Sequence, residues 1–308
     1  MDWPAEIRAA RHRIRDHIRQ TPVMKTDVGF SQPISLKLEH LQHTGSFKIR
    51  GAFNTLLCEP VPESGLVAAS GGNHGVAVAY AAARLGHEAQ IFVPEIAGPE
   101  KIALIERQGA KLTVVPGVYS DALDLALDHA ARSGAKQIHA YDAPATVAGQ
   151  GTCMAEWEEQ SLDADTVLIA VGGGGLIAGA CAWLDGRRNV VAVEPEGCQT
   201  LHAALSAGAP VDVSPSGIAA NALGARRIGD ICFGMAKGQN IESVLVSDPA
   251  IRAAQIWLWQ SLRLLVEPAG AAAFAALSSG AYKPHPKERV AVLLCGANTA
   301  PDPFASSG

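Results

Sequence analysis

The sequence predicts an α/β protein of two lobes, each with an open, mainly parallel sheet flanked by helices. Short β-branched runs alternate with longer Ala-rich segments in an unbroken βαβ rhythm, the pattern of a parallel sheet covered on both faces. At 308 residues the chain exceeds what one hydrophobic core usually organises. Apolar residues make up 48% and charged residues 18%, with 31 glycines, a composition of tight packing rather than disorder.

Taken in order, an opening helical pattern covers about residues 4 to 19. Strand candidates follow at "ISLKLE" (34 to 39), "LVAAS" (66 to 70), "AQIFVP" (89 to 94), "KLTVVP" (111 to 116), "TVLIAV" (166 to 171), "NVVAVE" (189 to 194) and "RVAVLLC" (289 to 295). Between them, "NHGVAVAYAAARLG" and "YSDALDLALDHAARSG" read as helices, each closed by a glycine suited to a C-cap. Residues 65–142 read as a small domain inserted in a large one made of 1–64 and 143–308. The tail "TAPDPFASSG" reads as a short surface end.

A net charge of -5 offers no basic stripe for nucleic acid. The six cysteines form no CxxC pair, and the N-terminus "MDWPAEIRAARHRIRDHIRQ" carries charges where a signal peptide would be apolar, so a reducing, cytoplasmic setting is expected. No run reaches the roughly 18 apolar residues of a membrane span.

Open sheets bind ligands beyond the carboxyl ends of their strands. After "TVLIA" comes "VGGGGLIAG", with Gly172, Gly173, Gly174 and Gly175 leading into a helix: close backbone approach and free N–H groups suit an anion. Gly173, Gly175 and Ala178 also fit G-x-G-x-x-A, with Glu194 about 20 residues on, so a nicotinamide-dependent oxidoreductase is the alternative. The loop "SGGNHG" places Ser70, Gly71, Gly72, Asn73 and His74 at the opening of a helix. It is either a seat for an oxygen anion or a set of capping residues. "CGAN" ends the last strand with Cys295, by itself a small buried hydrophobe. Lys48, in "HTGSFKIRGAFN", would ordinarily snorkel to solvent; buried among Ser46, Phe47 and Ile49 it would instead have a depressed pKa and act as nucleophile or base.

Together, "TGSFKIRGAFN" (44 to 54), "SGGNHG" (70 to 75), "AGQGT" (148 to 152), "VGGGGLIAG" (171 to 179), "VEPEG" (193 to 197), "EPAGAAA" (267 to 273) and "CGAN" (295 to 298) resemble, in order and over nearly the whole chain, the fold type II pyridoxal phosphate enzymes, most closely their serine/threonine dehydratase and serine racemase branch. The resemblance implies the tryptophan synthase β-like fold and pyridoxal 5'-phosphate as cofactor. Lys48 would carry the cofactor as a Schiff base beside Phe47. Gly172 to Gly175 and the N–H of Leu176 would bind its phosphate, Asn73 its ring hydroxyl oxygen, and Cys295 would face its ring nitrogen. Ser70, Gly71, Gly72 and His74 would grip the substrate carboxylate. A neutral thiol at the ring nitrogen gives a weaker electron sink than a carboxylate would, which favours prompt loss of a β-substituent. The implied reaction is elimination of water from L-threonine or L-serine, giving 2-oxobutanoate or pyruvate and ammonia. Serine racemase, 3-hydroxyaspartate dehydratase, a β-replacing synthase and a silent amino-acid binder are the alternatives. Homodimers are common in the family.

The sequence departs from its relatives in places. Racemases of this branch have a serine where this chain has Gly71, so racemisation should be weak or absent. Several relatives bind a divalent cation with the glutamate of "VEP" and an acidic residue six positions later. Here Glu194 is followed by Thr200, and no obligatory metal is expected. Asp142, in "HAYDAP", stands where threonine dehydratases often carry aspartate, or else serves a turn. The sequence ends soon after "CGAN", so the C-terminal effector domain of biosynthetic threonine dehydratases, and the feedback inhibition it confers, is not expected.

Overall fold

A computed structural model describes residues 1–30, 32–117 and 119–299. The predicted surface tail lies, beyond Thr299, outside the described residues. Among the described residues ten strands form two sheets: β1 (Val23–Thr26), β2 (Ile34–Lys37), β3 (Leu66–Ala69), β4 (Ala89–Pro94), β5 (Lys111–Val115), β6 (Lys136–Gln137), β7 (Thr166–Ala170), β8 (Asn189–Pro195), β9 (Glu242–Val246) and β10 (Val290–Leu293). The six-stranded sheet runs β1-β2-β10-β7-β8-β9 and the four-stranded sheet β5-β4-β3-β6. Among the described residues, every pairing between these strands is parallel except β1 with β2.

Strands β2, β3, β7 ("TVLIA") and β10 are buried along their whole length, as expected when helices cover both faces. These helices are α1 (Trp3–Ile14), α2 (Lys48–Cys58), α3 (Asn73–Leu85), α4 (Pro99–Glu106), α5 (Tyr119–Ser133), α6 (Pro144–Glu159), α7 (Gly175–Leu184), α8 (Thr200–Ala207), α9 (Ala220–Leu223), α10 (Asp230–Gly238), α11 (Asp248–Leu262) and α12 (Pro268–Ser279). Helices α6, α7 and α12 are buried on nearly every side and correspondingly lack a polar face. No helix among the described residues is long and apolar enough to cross a membrane.

Three strands, β1, β6 and β9, were not predicted, and α1 stops at Ile14 rather than near residue 19. Strand β6 has only two residues, and β1 is an antiparallel edge whose "VMKT" has no β-branched run. The helix ends where His17 N–H bonds the Ile14 carbonyl (2.9 Å), a tightened last turn that redirects the chain.

Glycines bring α2, α6 and α7 into backbone contact. A Cβ on Gly149 would lie 2.6 Å from Gly51 Cα, and one on Gly179 would lie 2.5 Å from Gly151 N. Beside this junction is a buried ionic network. Arg50 Nε and Nη2 donate to Glu39 (2.8 Å each), Arg50 Nη2 also to Glu156 (2.9 Å), and Lys37 Nζ donates to Glu156 and Gln160 (2.6 Å each). Burial alone would raise the Glu39 carboxyl; the Arg50 guanidinium overrides it and holds the group below its ordinary value.

Candidate active site

β10, the last strand along the chain, lies between β2 and β7, so the ends of these strands open a crevice at a switch point in strand order. Residues 46–47 lie along the end of β10: Ser46 bridges Gly296, and Phe47 N–H donates to the Cys295 carbonyl (3.2 Å). This places Lys48, first residue of α2, over the strand end. Its amine donates to the Ala140 carbonyl (2.9 Å) and forms no ion pair among the described residues. Burial pushes it down to about 8, against the attraction of Cys295. Burial likewise pushes the Cys295 thiol well above its usual range, so it is neutral; Sγ donates to the Ala269 carbonyl (3.4 Å).

Lys48, Phe47, Asn73, Gly172 to Gly175, Leu176 and Cys295 line one narrow slot of about 30 Å³. The tetrad is glycine for reasons of space and conformation. Gly174 has φ +92°, a left-handed conformation, and a Cβ there would meet Cys232 Sγ at 2.5 Å. A Cβ at Gly173 would run into the Tyr141 ring, and one at Gly175 would lie 2.9 Å from Tyr141 Cα. The first N–H groups of α7, without partners inside the helix, open onto the slot.

Ser70, Gly71, Gly72 and His74 line a second cavity of about 200 Å³, which shares Lys48, Asn73, Gly173 and Ala222 with the slot. Neither Ser70 nor Asn73 caps α3. Ser70 Oγ accepts from Gly72 N–H inside the loop (3.1 Å). The Asn73 amide is clamped: Nδ2 donates to Glu267 Oε1 (2.5 Å), and Oδ1 accepts from Asn298 Nδ2 (2.7 Å). Burial holds Glu267 at about 7. His74 Nε2 donates to the Ile138 carbonyl (2.9 Å), and burial, with Lys48 nearby, lowers the imidazole to about 3, so it is neutral.

Two sequence-derived assignments change. Glu194 accepts from the N–H groups of Leu201 and His202 (2.8 Å each) at the start of α8, so it is turned into the protein and is not free for a ribose; the dinucleotide alternative fails here. Thr200 Oγ1, within 3.3 Å of Glu194, donates to the Gly172 carbonyl (2.6 Å). Asp142 accepts from Asp230 and Ile231 N–H (3.1 and 3.0 Å), capping α10 and lining neither cavity. Tyr119, Tyr141, Glu267 and Asn298, to which the motifs assign no role, complete the surroundings; the last two sit inside "EPAGAAA" and "CGAN", where they could have been singled out.

The residues present fit a pyridoxal phosphate. An unpaired, desolvated amine, a side-chain-free anion cradle and a neutral thiol share one narrow slot. Comparisons with known proteins agree. The family described as pyridoxal-phosphate dependent enzyme matches residues 14–296. The chain is 36% identical to phenylserine dehydratase of Ralstonia pickettii, over 97% of this chain and 94% of that protein. It is 33% identical to L-threonine ammonia-lyase of Thermotoga maritima, over 95% and 75%. Among solved structures it resembles maize serine racemase (TM-score 0.90, 28% identity, 96% and 93% covered) and the serine racemase of Dictyostelium discoideum (0.87, 29%, 96% and 98%). A solved threonine deaminase is equally similar in shape, with a TM-score of 0.87 at 32% identity over 96% of this chain and 98% of that one.

Proposed function

The chain belongs to the pyridoxal-phosphate dependent enzyme family, and from that membership we propose that it eliminates water from L-threonine or L-serine, releasing 2-oxobutanoate or pyruvate and ammonia. The observation that carries this reading is the half-buried Lys48 amine, free of any carboxylate, where the slot and the larger cavity meet. The relatives named for L-threonine and for phenylserine have substrates that share the 2-amino-3-hydroxy acid framework.

Gly172 to Gly175 and Leu176 N–H would hold the cofactor phosphate, Asn73 its ring hydroxyl oxygen, and Cys295 its ring nitrogen. Pyridoxal phosphate, when bound, supplies a conjugated ring that takes up the electron pair left on Cα. Asn73 can keep one orientation because Glu267 and Asn298 fix both ends of its amide. Lys48, with its amine near 8, removes the Cα proton and holds it at Nζ. The Ser70 to Asn73 loop and the N-terminus of α3 bind the substrate carboxylate and set the Cα–H bond toward Lys48. The β-hydroxyl departs as water, and hydrolysis of the released enamine yields the 2-oxo acid and ammonia.

Racemisation needs a second acid on the opposite face. Gly71 supplies no side chain there, and a Cβ at this position would run into Ala97. In this reading residues 65–142 form a small domain inserted in the larger one of 1–64 and 143–308, and the enzyme works as a homodimer, which light scattering would register. The test is direct: purified protein loaded with pyridoxal phosphate and given L-threonine or L-serine should form ammonia and 2-oxo acid in equal amounts, with little D-serine. Cofactor binding without ammonia from any 3-hydroxy amino acid would sink the proposal.

A further inference from the structure

We propose that the 200 Å³ cavity is shaped for a 2-amino-3-hydroxy acid whose β-substituent is a neutral aromatic ring, and that it rejects a β-carboxylate. This rests on the dehydratase reading and names the substrate class of that same site. Three independent features support it.

The first is space. A water molecule requires about 10–15 Å³, so the cavity holds on the order of a dozen waters, room shared by the α-carboxylate, the β-substituent and whatever part of the cofactor the 30 Å³ slot does not take. Small residues make the room: Pro94, Ala97, Ala140 and Ala220 line it where larger side chains would fill it.

The second is charge. Lys48 is the only cationic side chain among the described residues lining the cavity, and it is the proposed cofactor-bearing base. His74 is neutral. The loop at the start of α3 serves the α-carboxylate, so a second carboxylate on Cβ would be desolvated with no counter-charge. Nor does any carboxylate side chain line the cavity among the described residues, which leaves a cationic substituent equally unpaired.

The third is the pair of rings. Tyr119, at the start of α5, stands 36% exposed, while Tyr141 reaches the cavity from the loop before α6. Tyr141 is held from several directions: its N–H donates to His139 Nδ1 (3.3 Å), its hydroxyl donates to the Arg227 carbonyl (3.3 Å), and its ring abuts Gly173. A ring fixed in this way presents an aromatic surface without losing side-chain freedom on binding.

The experiment uses the loaded enzyme with the L-threo forms of 3-phenylserine, threonine and 3-hydroxyaspartate, comparing kcat/KM. Phenylserine should exceed threonine by about tenfold, the scale of an aromatic contact plus apolar burial. Hydroxyaspartate should fall at least about a hundredfold below threonine. Non-reacting L-phenylalanine and L-aspartate, titrated against the visible absorbance of the bound cofactor, report binding without turnover, and phenylalanine should bind tighter. Threonine turnover with aspartate and hydroxyaspartate handled as well as their aromatic counterparts would overturn the inference. If nothing is turned over, the dehydratase reading falls while the two titrations still decide the cavity. Tyr141→Ala should cost phenylserine more than threonine, and Tyr141→Phe should keep the wild-type ratio. An equal loss for both substrates in Tyr141→Ala would overturn the role of this ring.

Discussion

Arg50 and Lys48 stand two residues apart on α2, Arg50 fully buried and Lys48 half-buried, and their surroundings are opposite. Arg50 is met by Glu39 and Glu156, with Lys37 completing a neutral set of two cations and two carboxylates. Lys48 is met by a carbonyl and a neutral thiol. A buried charge with partners stays charged and ties elements together, whereas a buried amine without them drifts toward its neutral, reactive form. One helix thus anchors itself through Arg50 and exposes its chemistry through Lys48.

The largest effect should come from removing the unpartnered group. Lys48→Ala is expected to abolish ammonia release and the visible absorbance of the bound cofactor while far-UV circular dichroism stays unchanged, since no carboxylate is left orphaned. Arg50→Met should do the reverse, costing about 3–5 kcal/mol of stability in urea unfolding because Glu39 remains buried without its ion-pair partner and Glu156 keeps only Lys37. If Lys48→Ala unfolds the protein and Arg50→Met does not, the comparison is wrong.

Two pH measurements sharpen it. In cofactor-free protein, amine labelling of Lys48 should rise with pH and level off above about 8, well below the 10.5 ordinary for a lysine. Glu267, lifted from 4.5 to about 7, gives the folded state a proton that the unfolded chain has already lost between those values. Stability therefore falls as pH rises through that window, and Glu267→Gln should flatten the slope in thermal melts. Smallest of all, chelator treatment should leave activity within error: Glu194 already accepts from two backbone N–H groups, and recovery on adding Mg²⁺ would contradict this.

Much of this was legible in the chain. Fully buried parallel strands leave uninterrupted apolar runs, and a four-glycine loop has no common use besides close backbone approach. Arg50 and Glu156 were opaque because their pairing joins residues more than 100 positions apart. Tyr141 was hidden for the same reason: "HAYDAP" reads as a turn, and only the folded chain sets its ring on Gly173. Asp142 shows the converse, since its position in the motif pointed to substrate while its carboxylate caps α10. Sequence pattern reports what a residue's neighbours along the chain require, and these roles are set by neighbours across it.

The glycine junctions between α2, α6 and α7 have a consequence for how the protein tolerates change. Lys48 opens α2 and Leu176 lies in the first turn of α7, and the helix between them meets each through main chain rather than side chains. The span from amine to anion cradle is thus gauged by peptide geometry, which cannot be compressed or swollen by exchanging one aliphatic residue for another. Drift in core composition elsewhere leaves that span intact, while a single methyl at Gly149 or Gly179 lengthens it.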